Sequence, residues 1–249
     1  MNYEIEFDNV WKQFPNSKTP TLAGLSLRVI PGTLNVLMGH SGSGKSVTLK
    51  HLLGFLNPDS GRIMVRGQEL GAMNAYQMRE LRRNFGVLFQ NSALFDGLSV
   101  LENVAFPLRE HRPEMSEEDI VQRVEALLES VELRNCLHKM PIELSGGMRK
   151  RVGLARAIAL DPRILLCDEP TTGLDPGTAK VIDDLIVATT RRLGATTLII
   201  SHDVHASLRI ADFVSMIWKG SIVETASPEQ FVKSRNPVVR DFLTSAGVL

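Results

Sequence analysis

Apolar and charged residues alternate at the start of the chain. Tyr3, Ile5 and Phe7 are separated by Glu4 and Glu6, a period of two that predicts a half-buried strand. A second strand is expected from Leu25 to Ile30, closed by the turn dipeptide Pro31-Gly32. Leu34-Asn35-Val36-Leu37-Met38 is nearly continuous in apolar character and bounded by glycine, the pattern of a buried strand in a parallel sheet. It runs into a glycine-rich loop and then a helix expected over Val47 to Leu53. Further strands are predicted at Arg62 to Val65, Phe85 to Phe89, Arg163 to Cys167, Thr196 to Ile200 and Phe213 to Trp218, with helical patterns between several of them. The alternation predicts an α/β fold with a largely parallel sheet.

The stretch from about Asn91 to Leu160 holds no good strand. Ile120, Val124, Leu127, Leu128 and Val131 fall on one helix face, and Ser116 with Asp119 three residues later resembles a capping box. This stretch reads as a helical subdomain, residues 91–160, inserted into an α/β core of residues 1–90 and 161–220. Residues 221–249 form a C-terminal tail, in which Ser227 to Leu249 is expected to form short helices around Pro228 and Pro237.

Composition narrows the function. A 43% hydrophobic content suits a folded chain with a sizeable core. With 28 basic and 28 acidic residues the formal charge is zero, which offers no general attraction to nucleic acid, so any phosphate binding must be local. Cys136 and Cys167 are the two cysteines, far apart and without metal-ligand spacing, which suits a reducing compartment. The first residues lack a signal-peptide pattern, and no apolar run approaches the ~18 residues that cross a bilayer. A soluble protein is expected, whose membrane role would come through a partner.

Gly39-His40-Ser41-Gly42-Ser43-Gly44-Lys45-Ser46 fits G-x-x-x-x-G-K-[ST]. Glycines let successive N–H groups curl around phosphate oxygens, and the following helix adds its positive end. Lys45 reaches for the β- and γ-phosphates and Ser46 for Mg²⁺. A second element, Arg163 to Glu169, is an apolar strand ending in two acids. Asp168 at its end is placed to hold Mg²⁺, directly or through water, and Glu169 to polarise a water. Taken alone, both acids also read as a strand leaving the core for solvent. Cys167 reads as a small buried hydrophobe.

Leu144-Ser145-Gly146-Gly147-Met148 precedes a helical run; alone it is only a capped helix start. In its position, inside the helical stretch and shortly before Asp168, it resembles the signature of the ABC ATPase family. The resemblance extends over nearly the whole chain. Phe14 matches the family's adenine-stacking aromatic, and Gln90 its glutamine that senses Mg²⁺ and γ-phosphate. Gly173-Leu174-Asp175-Pro176 resembles its dimer-facing loop, and His202 in Ser201-His202-Asp203 its switch histidine. Individually, Phe14 also reads as a core aromatic, Gln90 as a strand end and His202 as an ordinary histidine, the reading that the side chains of His40, His51, His111, His138 and His205 keep. The ordered set carries the likeness. One departure is Met148, where the signature usually ends in glutamine; methionine cannot supply the amide hydrogen bonds.

The resemblance implies a P-loop NTPase (RecA-like) core with a largely parallel sheet, an N-terminal antiparallel β portion and the inserted helical subdomain. It implies ATP bound by Phe14, Gly39 through Val47, Asp168, Asp175 and the Ser145-Gly146-Gly147 of a second copy. Mg²⁺ would sit on Ser46, Gln90 and Asp168, and hydrolysis would use Glu169, His202, Lys45 and Gln90. A homodimer that closes on ATP and an integral membrane permease follow as partners, on the cytoplasmic face of the inner membrane; no nucleic acid is expected. Ser92 through His111, SALFDGLSVLENVAFPLREH, with LSGGM, is similar to the ATPases of Mla- and Mce-type lipid-transport systems. That similarity implies an Mce-type lipid-binding subunit, a small regulatory subunit, and Phe95 and Leu98 as permease contacts. The same apolar residues also read as subdomain packing. A transporter of small polar solutes, or a non-transport ATPase of the family, is the alternative.

Overall fold

A computed structural model describes residues 3–15 and 17–249. Its first half runs β1 (Ile5–Lys12), β2 (Leu22–Val29), β3 (Leu34–Met38), α1 (Lys45–Leu52), β4 (Ser60–Val65), β5 (Gln68–Glu69), α2 (Ala75–Arg82), β6 (Phe85–Leu88) and α3 (Val100–His111). It continues with α4 (Glu117–Ser130), α5 (Gly146–Ala157), β7 (Ile164–Asp168), α6 (Pro176–Leu193), β8 (Thr196–Ser201), α7 (Val204–Ile210), β9 (Phe213–Trp218), β10 (Ser221–Ala226), α8 (Pro228–Val232) and α9 (Pro237–Ser245). The chain divides into two units, Met1–Arg82 with Thr196–Leu249, and Arg83–Ala195.

In the first unit, β2, β1, β4 and β5 form an antiparallel sheet in that order. Ile5 and Phe7 are buried, as a period of two requires, and a register shift between Phe7 and Val10, with Asn9 at φ +50, brings Val10 into the core as well; Ile5 pairs with Val29 on one side and Val65 on the other. The same unit holds β3 between β8 and β9, parallel to both. All five residues of β3 are buried, as a strand covered on both faces must be. The Leu34 N–H is satisfied at the strand's start by Asp212 Oδ2 at 2.7 Å.

In the second unit β6 and β7 pair in parallel, Leu88 opposite Cys167, and α3, α4, α5 and α6 supply the rest. Between β6 and β7 no strand occurs among the described residues, as expected from the pattern. α4 buries Ile120, Val124, Leu127 and Leu128. The Ser116 hydroxyl accepts from Asp119 N at 3.1 Å while Asp119 Oδ2 accepts from Ser116 N at 3.2 Å, so aspartate completes the box. A second box, Ser99 with Glu102, starts α3.

Three details depart from the pattern. β2 begins at Leu22, earlier than expected. β6 ends at Leu88, so Gln90 lies in the turn beyond the strand and does not end it. From Ser227 the tail forms α8 and α9 around its prolines, and before them residues 221–226, where no element was expected, form strand β10, antiparallel to β9. β10 escapes a pattern reading because five of its six residues are half-buried, so no alternation marks it.

Candidate nucleotide site

In the first unit the phosphate loop is the direct continuation of β3. α1 begins at Lys45 with no acid in its first turn, so its positive end is left unneutralised. Gly39 is forced by a close approach: a Cβ there would lie 2.4 Å from the Ile217 carbonyl oxygen and 2.8 Å from Ser43 Oγ. Gly44, at φ +113, caps the helix, and a Cβ would meet the Thr21 carbonyl at 2.9 Å. Lys45 is buried, its ammonium donating to the carbonyls of Gly39 at 2.6 Å and His40 at 3.0 Å. Ser43 is also buried, and its Oγ has no hydrogen-bond partner in the protein. An orphaned hydroxyl and a buried ammonium within one glycine-rich loop suit a bound polyphosphate.

The other motif residues of the first unit differ in exposure. Ser46 is exposed and Val47 half-buried on α1; Ser41 and Gly42 are exposed. The His40 ring meets Trp218 and Phe242 edge-on, with centroids 5.3 and 5.1 Å away. Phe14 is half-buried in the turn after β1. His202 is exposed between β8 and Asp203, whose side chain caps α7 by accepting from Ala206 N at 2.9 Å.

In the second unit, the first four residues of β7 are buried and Asp168 is half-buried at its end. Glu169 follows with φ +43, a left-handed backbone that a non-glycine residue adopts only when its surroundings hold it. Its carboxylate accepts from Thr172 Oγ1 at 3.0 Å. Burial pushes the Cys167 thiol far up, so it packs as a hydrophobe and is no nucleophile. Ser145 caps α5, its Oγ accepting from Met148 N at 3.3 Å, so Met148 lies in the first turn of the helix. A Cβ on Gly147 would sit 2.5 Å from Thr178 Cγ2, so a side chain there would collide with the first turn of α6. Asp175 caps that turn through Thr178 N at 3.0 Å, and the hydrogen bonds from Thr178 hold its carboxyl below the usual range. Thus Gly146, Gly147 and Asp175 meet at two abutting helix starts, and Asp168 and Glu169 share one strand end.

Three residues that the motifs did not mark organise this unit. Lys150, on α5, is buried and donates to the carbonyls of Gln90 and of Glu169. Asn103, fully buried, accepts from Phe95 N at 2.8 Å and donates to the carbonyls of Phe95, Leu98 and Ser99. Arg156 donates to Ser92 O at 2.8 Å and lies 5.6 Å over the Phe95 ring. Asn103 and Arg156 thereby shape loop 92–99 beside a hollow of about 430 Å³ lined by Phe85, Phe89, Phe95, Phe106, Pro107 and Arg156 among others. Phe95 is 45% exposed and Leu98 half-buried, while Val100 is fully buried. Lys150, flanked by Arg149 and Arg151, gave no signal in the sequence, and Asn103 and Arg156 gave only that of polar residues set among apolar neighbours.

A phosphate loop after a buried parallel strand, an apolar strand ending in two acids, and a serine-capped glycine pair define the ATP-binding cassettes. Residues 22–172 match the family model described as ABC transporter, and the chain belongs to this family, as an ATP-hydrolysing subunit. It is similar to the probable ribonucleotide transport ATP-binding protein Mkl of Mycobacterium tuberculosis, 41% identical over 245 residues, 98% of this chain and 67% of that protein. It is similar as well to the intermembrane phospholipid transport system ATP-binding protein MlaF of Haemophilus influenzae, 42% identical over 219 residues, 88% of this chain and 83% of that one. The methionine import protein MetN of Caulobacter vibrioides is 38% identical over 244 residues, 97% of this chain and 73% of that protein. Among solved structures, a dimeric post-hydrolysis cassette bound to ADP and Pi shares 29% identity at TM-score 0.82, over 90% of this chain and 98% of that one. Cassettes of this family form dimers and partner with membrane permease subunits. Among the described residues of this chain no helix is long and apolar enough to cross a membrane.

Proposed function

We propose that this chain powers the movement of phospholipid, or a related hydrophobic molecule, through a membrane permease, by binding and hydrolysing ATP between two copies of itself. The phosphate loop is the observation that carries the ATP part. Lys45 is held ready on its own loop carbonyls, and Ser43 Oγ is left without a protein partner. ATP would lie on Gly39 to Val47 of one copy, its adenine on Phe14, and beneath Ser145, Gly146 and Gly147 of the second, with Asp175 at the contact. Glu169 would activate water, and His202 and Gln90 would hold water and γ-phosphate in line. Lys45 would meet the charge that builds on the transferred group. Ser46, Gln90 and Asp168 offer the hard oxygen donors that suit Mg²⁺, an ion that neutralises phosphate charge when bound.

The lipid part rests on MlaF, whose name declares phospholipid transport, and on the stretch from Ser92 to His111 that frames the hollow beside Phe95. That hollow suits an apolar permease segment, which would hold the subunit at the membrane's inner face; an Mce-type lipid-binding subunit and a small regulatory subunit complete the assembly. A small polar solute is the second reading, favoured by the MetN likeness.

Two measurements test the proposal. Glu169→Gln should keep ATP binding, lose most turnover and accumulate a closed dimer, while Lys45→Ala should lose nucleotide affinity. Wild-type steady-state hydrolysis in Glu169→Gln removes that residue from its role. For the cargo, the complex isolated from detergent-solubilised membranes should carry an Mce-type protein and phospholipid in its mass spectrum. A substrate-binding protein for amino acids in their place would establish the second reading.

A further inference from the structure

Lys150 is a buried cation that belongs to none of the nucleotide-site motifs. It stands one turn into α5, the helix that Ser145 caps, and it is only 5% exposed. A lysine is almost never buried without compensation, and burial lowers its affinity for the proton, opposed by the attraction of Asp168 and Glu169. Its ammonium donates to the Gln90 carbonyl, a short bond, and reaches the Glu169 carbonyl at 3.5 Å. These acceptors belong to the turns that follow β6 and β7, two strands already paired in register as far as Leu88 and Cys167. One cation therefore gathers the backbone beyond both strand ends and joins it to the helix that begins at Gly146.

Glu169 is the residue that needs such a hold. Its φ of +43 is costly without external support. Thr172 donates to the carboxylate at 3.0 Å, and Lys150 reaches the backbone carbonyl of the same residue at 3.5 Å. Methionine, neutral and of similar length, could fill the space but offers no donor to either carbonyl, and a glutamine amide offers two without the assistance of a charge.

We propose that Lys150 is a positioning residue for ATP hydrolysis, whose buried ammonium ties the Gln90 carbonyl to the Glu169 carbonyl and so sets the direction of the Glu169 carboxylate. The inference rests on Glu169 being the carboxylate that activates water. It also gives the turn at Gln90 a path to the hydrolytic residue: a displacement of that turn shifts the ammonium, and the ammonium shifts Glu169.

The test uses the full chain with ATP and Mg²⁺, comparing Lys150→Met, Lys150→Gln, Lys150→Arg and Glu169→Gln. Lys150→Met should lower kcat at least 10-fold while KM and the affinity for a fluorescent ATP analogue stay within about 2-fold. Lys150→Arg, which keeps a cation and several donors, should recover kcat to within about 3-fold of wild type. In single turnover, adding Lys150→Met to Glu169→Gln should cost less than 2-fold more, because the lysine acts through the glutamate. A folded Lys150→Met with wild-type kcat overturns the proposal. So does a loss that falls on KM, or a full further 10-fold loss on the Glu169→Gln background. Should Lys150→Met fail to fold, Lys150→Gln carries the test: a 3- to 10-fold loss of kcat at constant KM is expected, and unchanged kcat refutes it. Glu169→Gln alone reports on the underlying reading, since wild-type hydrolysis there removes the glutamate's role whatever Lys150 does.

Discussion

Replacing Gly39 with alanine probes the first residue of the phosphate loop. The added Cβ would stand 2.4 Å from the Ile217 carbonyl oxygen, whereas real Cβ atoms essentially never come within 3.0 Å; the loop must therefore open by at least about 0.6 Å. Ile217 cannot retreat: it is fully buried on β9, which pairs along β3 as far as Met38 opposite Met216. The displacement falls on the loop, and because the Gly39 carbonyl accepts from Lys45 at 2.6 Å, the ammonium moves with it. Overpacking of this kind costs about 1–3 kcal/mol. If that cost is borne by the conformation that grips ATP, affinity falls roughly 5- to 150-fold. Gly32→Ala is the control. Gly32 also has positive φ, +73, but a Cβ there meets nothing within 4 Å, so it should lose about 1–2 kcal/mol of stability through backbone strain alone and bind ATP as wild type does. Calorimetric titration of both variants with ATP and Mg²⁺, beside urea denaturation, separates the two effects. ATP affinity within 2-fold of wild type in Gly39→Ala, or an equal loss in Gly32→Ala, refutes the argument.

Other outcomes follow from the same structure. Asn103→Leu strips a buried side chain from four backbone groups of loop 95–99; it should cost about 1–3 kcal/mol in denaturant titration and speed amide exchange in that loop, and unchanged exchange would count against Asn103 as its anchor. Ser145→Ala removes the cap of α5 and should lower stability by about 1 kcal/mol, with a larger fall in the ATP-dependent dimer than in ATP binding by the monomer; equal losses in both would argue against a trans contact. His51 is buried with Nδ1 on the Val47 carbonyl at 2.7 Å, and burial lowers its pKa. The unfolded chain then takes up the proton first, so the stability from neutral His51 is complete above about pH 6.5 and is lost as pH falls toward the depressed folded-state value, at no more than about 1.4 kcal/mol per pH unit. His51→Gln should flatten the pH dependence of the urea midpoint between pH 7 and 5; an unaltered slope would assign it to other groups.

Much of the site was legible because its parts are local. β3, the loop and α1 occupy consecutive residues, so glycine spacing and a lysine at the helix start specify the cradle before any long-range contact forms. The same holds for β7 with Asp168 and Glu169, and for the Ser116 box, where three-residue spacing places donor and acceptor together. Gln90 reads as a strand end because Phe89 continues the apolar run, yet pairing stops at Leu88. β10 went unseen because half-buried residues leave no period.

By itself, the order of residues determined that a glycine-rich loop leading into a lysine-started helix, an acidic strand end and a serine-capped glycine pair exist, since each depends on backbone geometry within a few neighbours. Only the tertiary structure decided what Lys150, Asn103 and Arg156 do. A cation or amide on a helix reads as solvated unless its acceptors are known, and the carbonyls of Gln90, Phe95 and Ser92 lie 60, 8 and 64 residues away. Burial turns those polar side chains from surface into framework, because an ammonium, amide or guanidinium removed from water must find its hydrogen bonds in the protein, and folding alone determines where they are.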